Sequence, residues 1–99
     1  MADVNRYYVV DQATWVDAQA TLTKRVGRGN SWEILQDRPS LDSQWHLIQA
    51  VTSDQEHSRI MRNSTAQYLG DFHPETGQAD PSVTEYIEAN PQLWGSRIP

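Results

Sequence analysis

The sequence predicts a small α+β domain, built as a two-layer sandwich of helices on one sheet. Two observations predict this class. Apolar residues recur at helical spacing over residues 12–26 and 81–89, whereas residues 6–10 are rich in the β-branched and aromatic side chains that favour strands. The 99 residues match the length of one domain, so we expect 1–99 to form a single unit, with 90–99 as a C-terminal hook or tail.

The N-terminal part of the chain predicts a strand followed by a helix. Residues 6–10 (RYYVV) are rich in aromatic and β-branched side chains, which favours a strand. Asp11 can cap the helix predicted over 12–26, because its carboxylate can accept the free amides of a first turn. Gly27 then ends that helix, since glycine adopts the left-handed conformation without steric cost.

Two strands and a turn-rich connection follow. We place the strands at 31–36 and 44–52 and a loop at 37–43, where turn-forming residues accumulate. Trp45 and Ile48 fall on opposite faces of the later strand, because side chains alternate along a strand. The short connection predicts an antiparallel pair.

A capping box begins the next helix. The Ser53 hydroxyl and the Glu56 carboxylate can each satisfy the other's backbone amide, which predicts a helix over 54–63. We expect its inward side chains to be Ile60 and Met61.

The C-terminal third is less regular. Residues 65–69 either continue the preceding helix or form a fourth strand, and we expect Gly70 to end the element in both cases. A turn-rich stretch over 71–79 leads to a third helix at 81–89, which Asn90-Pro91 ends. The β-α-β-β-α-(β) order with an added C-terminal helix is that of a ferredoxin-like sandwich, an architecture that hosts many unrelated functions.

Composition and charge limit the class of partner. The net charge is −5, of which residues 53–99 contribute −4. An acidic surface does not attract nucleic acid or membrane phosphates, so neither is expected as a partner. No apolar run approaches the roughly 20 residues of a membrane span, and residues 1–5 lack a signal-peptide pattern. The predicted location is therefore the cytoplasm or a virion.

No catalytic motif is evident, so we predict a protein that is not an enzyme and uses no cofactor. The absence of cysteine excludes disulfides and thiolate metal sites. Asp71, His73 and Glu75 are potential metal ligands at alternate positions, but Pro74 disfavours a regular arrangement and no metal site is predicted. His57 can act as a pH-sensitive group, with a partly exposed histidine of no function as the alternative.

Two other clusters favour plain structural interpretations. The glycine-rich residues 26–30 follow a helix C-terminus, where the helix dipole is negative and disfavours phosphate. Glu85 and Glu88 share a helix face, which we expect to be solvated.

Aromatic residues are the best functional clue in the sequence. The chain has nine of them, more than a core of this size easily covers, and Tyr and Trp dominate protein interfaces. Trp94 is the strongest candidate for a contact outside the domain, and packing against its own sheet is the alternative. The predicted partner-binding residues are Trp94, Leu93, Tyr86 and Trp45.

These features predict a protein–protein interaction or assembly protein. In being acidic, cysteine-free, aromatic-rich and without catalytic motifs, the chain resembles small phage or virion proteins, which implies a structural or accessory subunit. Its expected partner is a protein, either a second copy of the chain or a viral structural protein. Two alternatives remain: an acidic inhibitor that mimics nucleic acid to block a basic protein surface, and a small enzyme that uses histidines and carboxylates.

Overall fold

The computed structural model describes residues 4–16, 33–62 and 65–95. Within these residues lie strands β1 (Val4–Asp11), β2 (Glu33–Pro39), β3 (Trp45–Thr52), β4 (Gln67–His73) and β5 (Gln78–Ala79). Helix α1 is described over 12–16, and α2 (Asp54–Met61), α3 (Pro81–Ala89) and α4 (Pro91–Trp94) follow later in the chain. The strands form one curled antiparallel sheet in the order β2-β3-β1-β4-β5.

The α+β class is confirmed, but the predicted ferredoxin-like two-layer sandwich is wrong. A fifth strand extends the sheet beyond β4, and helices cover both of its faces. Trp15 of α1 and Ile60 of α2 pack on one face, whereas Ile87 of α3 and Trp94 of α4 pack on the other. The central strands β1 and β3 carry apolar side chains on both sides, so each face needs its own cover.

Strand β2 runs further than predicted. It continues to Pro39 instead of ending at residue 36, because an edge strand tolerates a residue that cannot donate to the ladder. The remaining turn is closed by Asp42, whose Oδ1 accepts from the Ser40 hydroxyl at 2.5 Å and from the Gln44 amide at 3.0 Å.

The capping box of α2 is confirmed. The Glu56 amide donates to Ser53 Oγ at 3.2 Å, and the Ser53 amide donates to Glu56 Oε1 at 2.9 Å. Ile60 packs toward the sheet as predicted. The prediction for Met61 is wrong, since its side chain is exposed; consecutive helical residues point about 100° apart, and the narrow contact accommodates only Ile60.

Residues 67–73 form a strand, and Gly70 does not end it. Gly70 has a φ of 152° at an irregularity in the pairing with β1. A Cβ atom at this position would lie 2.8 Å from Ser82 Oγ, so glycine allows α3 to begin close against β4. The stretch expected to be only a turn therefore contains the end of β4, a turn at 74–77 and β5.

Several predictions fall outside the described residues. They concern the remainder of the first helix (17–26), the glycine-rich residues 26–30, the start of the second strand (31–32) and the tail at 96–99. Among the described residues, no helix is long and apolar enough to cross a membrane.

Candidate functional site

The four residues predicted to bind a partner meet in one cluster. Trp45 begins β3, Tyr86 lies in α3, and Leu93 and Trp94 belong to α4. All four belong to the core cluster on the sheet face that α3 and α4 cover. Folding thus joins the two ends of a segment of about fifty residues, which is the sequence separation of Trp45 and Trp94.

Trp94 is the buried centre of this cluster. Its side chain is 1% exposed, with the Tyr86 ring 6.4 Å away between centroids. Two hydrogen bonds to backbone carbonyls hold α4 in place. Arg38 Nη2 donates to the Trp94 carbonyl at 2.7 Å, and the Leu41 amide donates to the Leu93 carbonyl at 2.8 Å. In this conformation the indole packs on its own domain and supports its neighbours.

Leu41 is a member of the site that the sequence did not reveal. It lies in the turn between β2 and β3, is bonded to α4 through its amide, and is 71% exposed. The signal was a single leucine inside a loop of polar turn formers. We call Leu41, Trp45, Tyr86 and Leu93 the C-terminal face; the last three are partly buried around Trp94.

A polar network occupies the other side of the sheet. Arg6 Nη1 donates to Thr52 Oγ1 at 2.8 Å, Thr52 Oγ1 lies 3.1 Å from the Tyr8 hydroxyl, and that hydroxyl lies 2.7 Å from His57 Nδ1. Arg6, Tyr8 and Thr52 are all buried. The sequence analysis singled out His57 alone, because the contacts between β1 and the end of β3 arise only when the sheet pairs.

The network has one direction that uses every proton. Arginine can only donate, so Thr52 Oγ1 accepts from Arg6; we assign the Thr52 hydrogen to the bond with Tyr8, since a threonine that only accepted would leave that hydrogen unused. Tyr8 then donates to His57 Nδ1, which assigns the His57 proton to Nε2. A histidine in this state has a hydrogen to donate at Nε2, while its basic nitrogen, Nδ1, is already hydrogen-bonded to the Tyr8 hydroxyl.

Burial and the nearby Arg6 charge keep the His57 side chain neutral. Desolvation, and secondly the Arg6 charge, lower the pKa of His57 below its ordinary value. Desolvation also raises the pKa of Tyr8. The neighbouring Tyr68, whose hydroxyl donates to Asp71, has its pKa raised to about 12 by burial and by that carboxylate. Around neutral pH His57 is therefore uncharged, and the two tyrosines keep their hydroxyl protons.

The potential metal ligands do not converge. Asp71 accepts from Tyr68, whereas His73 contacts Asp80 at 2.6 Å and Glu75 at 3.4 Å. Among the described residues no group of three such side chains is placed to hold a metal ion. Asp80 also accepts from the Asp71 amide, so its carboxylate joins β4 to the start of α3 and makes no side-chain cap.

Three other polar side chains, Glu85, Glu88 and His46, are either exposed or already hydrogen-bonded. Glu85 and Glu88 are both exposed on α3, as expected. His46 is buried, contacts Asp37 and Gln12, and stacks on Trp15 with ring centroids 5.2 Å apart.

Comparison with protein-family models, with curated proteins and with solved structures finds no match to this chain.

Proposed function

We propose that the protein is a non-enzymatic assembly protein that self-associates through its C-terminal face, as a small phage or virion structural subunit would. The observation that carries the proposal is the position of Leu41. It is the most exposed large apolar side chain among the described residues, and it lies against the α4 hook. Trp45 and Tyr86, which are only partly buried, belong to the same face, and Trp and Tyr are enriched in the centre of interfaces.

The surroundings of His57 and of the C-terminal face favour an assembly protein over an enzyme that uses histidine. In the direction that we assign to the network, His57 Nδ1 accepts from the Tyr8 hydroxyl, so the one basic nitrogen of the neutral ring is already engaged and is poorly placed to act as a general base. The C-terminal face, by contrast, has apolar side chains that gain by being covered.

Substitution of Leu41 tests the proposal. We expect Leu41→Arg to return the protein to its monomer mass of 11.3 kDa in light scattering, because a charge at the centre of an apolar contact is costly to desolvate. Val16→Arg is the matched control, since Val16 is also exposed but lies in α1 on the opposite face. Equal masses for wild type and Leu41→Arg would contradict the proposed interface.

A further inference from the structure

A groove crosses the sheet face that α3 covers only in part. It has a volume of about 730 Å³ and is lined by residues from all five strands and by α3. Volumes of this size are typical of binding sites. The C-terminal face lies on the same side of the sheet, and Leu41, Trp45, Tyr86 and Leu93 do not line the groove.

The groove floor is a cross-strand row. Gln36 of β2 lies opposite Gln49 of β3, which lies opposite Tyr7 of β1. The Tyr7 ring meets Phe72 of β4 edge to face at 6.5 Å. The five strands, about 4.8 Å apart, give a length of roughly 19 Å, which is the span of about six residues of extended chain.

The polar lining favours a peptide backbone. Gln36 and Gln49, which lie opposite each other on β2 and β3, each carry a side-chain amide with donors and an acceptor, the same pair of groups that a peptide bond offers. Gln49 is oriented by its own donor bond to Asn5 at 3.0 Å. Amide partners recognise a main chain whatever its side chains, while Tyr7 and Phe72 favour an apolar residue.

The charge of the groove indicates which charged side chains a bound peptide can carry. Among the described residues that line the groove, Glu85 is the one charged side chain, and none is a lysine, arginine or histidine. Glu85 repels phosphates and carboxylates, whereas a Lys or Arg of the partner can pair with Glu85 and lie over an aromatic ring.

We infer that this groove binds an extended segment of about six residues from a partner protein, containing an apolar side chain and a Lys or Arg. The inference rests on the proposed function in taking the partner to be a protein, but it uses a different surface.

Selection from a displayed library of random eight-residue peptides, followed by titration of the best synthetic peptide into the full-length protein, tests the inference. We expect an enriched motif with an apolar residue and a Lys or Arg, and NMR shift changes centred on Tyr7, Gln49 and Phe72. Thr84→Arg, which places a bulky cation in the groove, should weaken binding more than about tenfold through repulsion, with an unchanged melting temperature as the control for folding.

Two glutamates of one helix provide a matched pair. Glu85→Gln should weaken the peptide about threefold, the usual effect of an exposed ion pair, and Glu88→Gln should not, because Glu88 does not line the groove. No enriched motif, shift changes elsewhere, or equal effects of the two variants would overturn the inference. Leu41→Arg should leave peptide affinity unchanged, so failure of the groove and failure of self-association remain separate results.

Discussion

The hydroxyl of Tyr8 decides which nitrogen of His57 carries the proton. Tyr8→Phe removes the donor to His57 Nδ1 and the acceptor of Thr52. We expect the variant to lose about 1 kcal/mol of unfolding free energy and the neutral His57 ring to lose its fixed tautomer, because no hydroxyl then donates to Nδ1. The NMR shifts of the ring nitrogens, followed through a pH titration, report the tautomer, and shifts equal to those of the wild type would contradict the assigned direction of the network.

His73 is an internal reference for that titration. A hydrogen bond to Asp80 raises the pKa of His73, whereas desolvation lowers that of His57. The contribution of His57 to stability is complete above its ordinary value of 6.5 and is lost as pH falls below it. The contribution of His73 is complete below 6.5 and is lost as pH rises through its raised pKa. We therefore expect His57 to titrate at the lower pH; the reverse order would show that at least one of the two environments is wrong.

Substitution of Trp94 tests whether its indole stabilises the fold beneath the C-terminal face. Because its side chain is 1% exposed, Trp94→Ala should lower the unfolding free energy by about 3 to 5 kcal/mol, as truncation of a core tryptophan does. Leu41→Ala should change it little, since Leu41 is mostly in solvent. Chemical denaturation compares the two; an unaffected Trp94→Ala midpoint would mean that the indole does not belong to the domain core.

At the scale of elements, α2 depends on its N-terminal cap. Ser53→Ala removes the acceptor of the Glu56 amide, and we expect a loss of about 1 kcal/mol. Ser58→Ala is the matched control, because Ser58 is exposed within the same helix and alanine is the better helix former. A denaturation midpoint that moves equally in both variants would count against the capping box.

Elements defined by local signals were predictable. The box at Ser53 and Glu56, the strand that contains Trp45 and the start of α3 at residue 81 depend on residues close in the chain, and the structure has them where the sequence places them. Gly70 was misjudged because its role is a close approach to Ser82, twelve residues away. A glycine in the sequence does not by itself show whether it ends a strand or allows another segment to pack closely against that strand.

For the whole molecule, long-range packing set the limit of prediction. The residues proposed for partner binding do meet, but the sequence could not place Leu41 beside Leu93, because that contact depends on where α4 docks. Likewise, Arg6 and Thr52 are 46 residues apart and become neighbours only through the β1–β3 pairing. Predicting that helices cover both faces of the sheet also required the strand order, which the sequence did not reveal.

Self-association is the central claim, and the mass of the unmodified protein in solution tests it most directly. Sedimentation equilibrium over a concentration series, at low salt and at about 1 M salt, where the screening length falls to about 3 Å, separates apolar contact from charge attraction. We predict a mass that rises above the 11.3 kDa of one chain and is the same at both salt concentrations. A monomer throughout both series, or association lost at high salt, would contradict assembly through the C-terminal face.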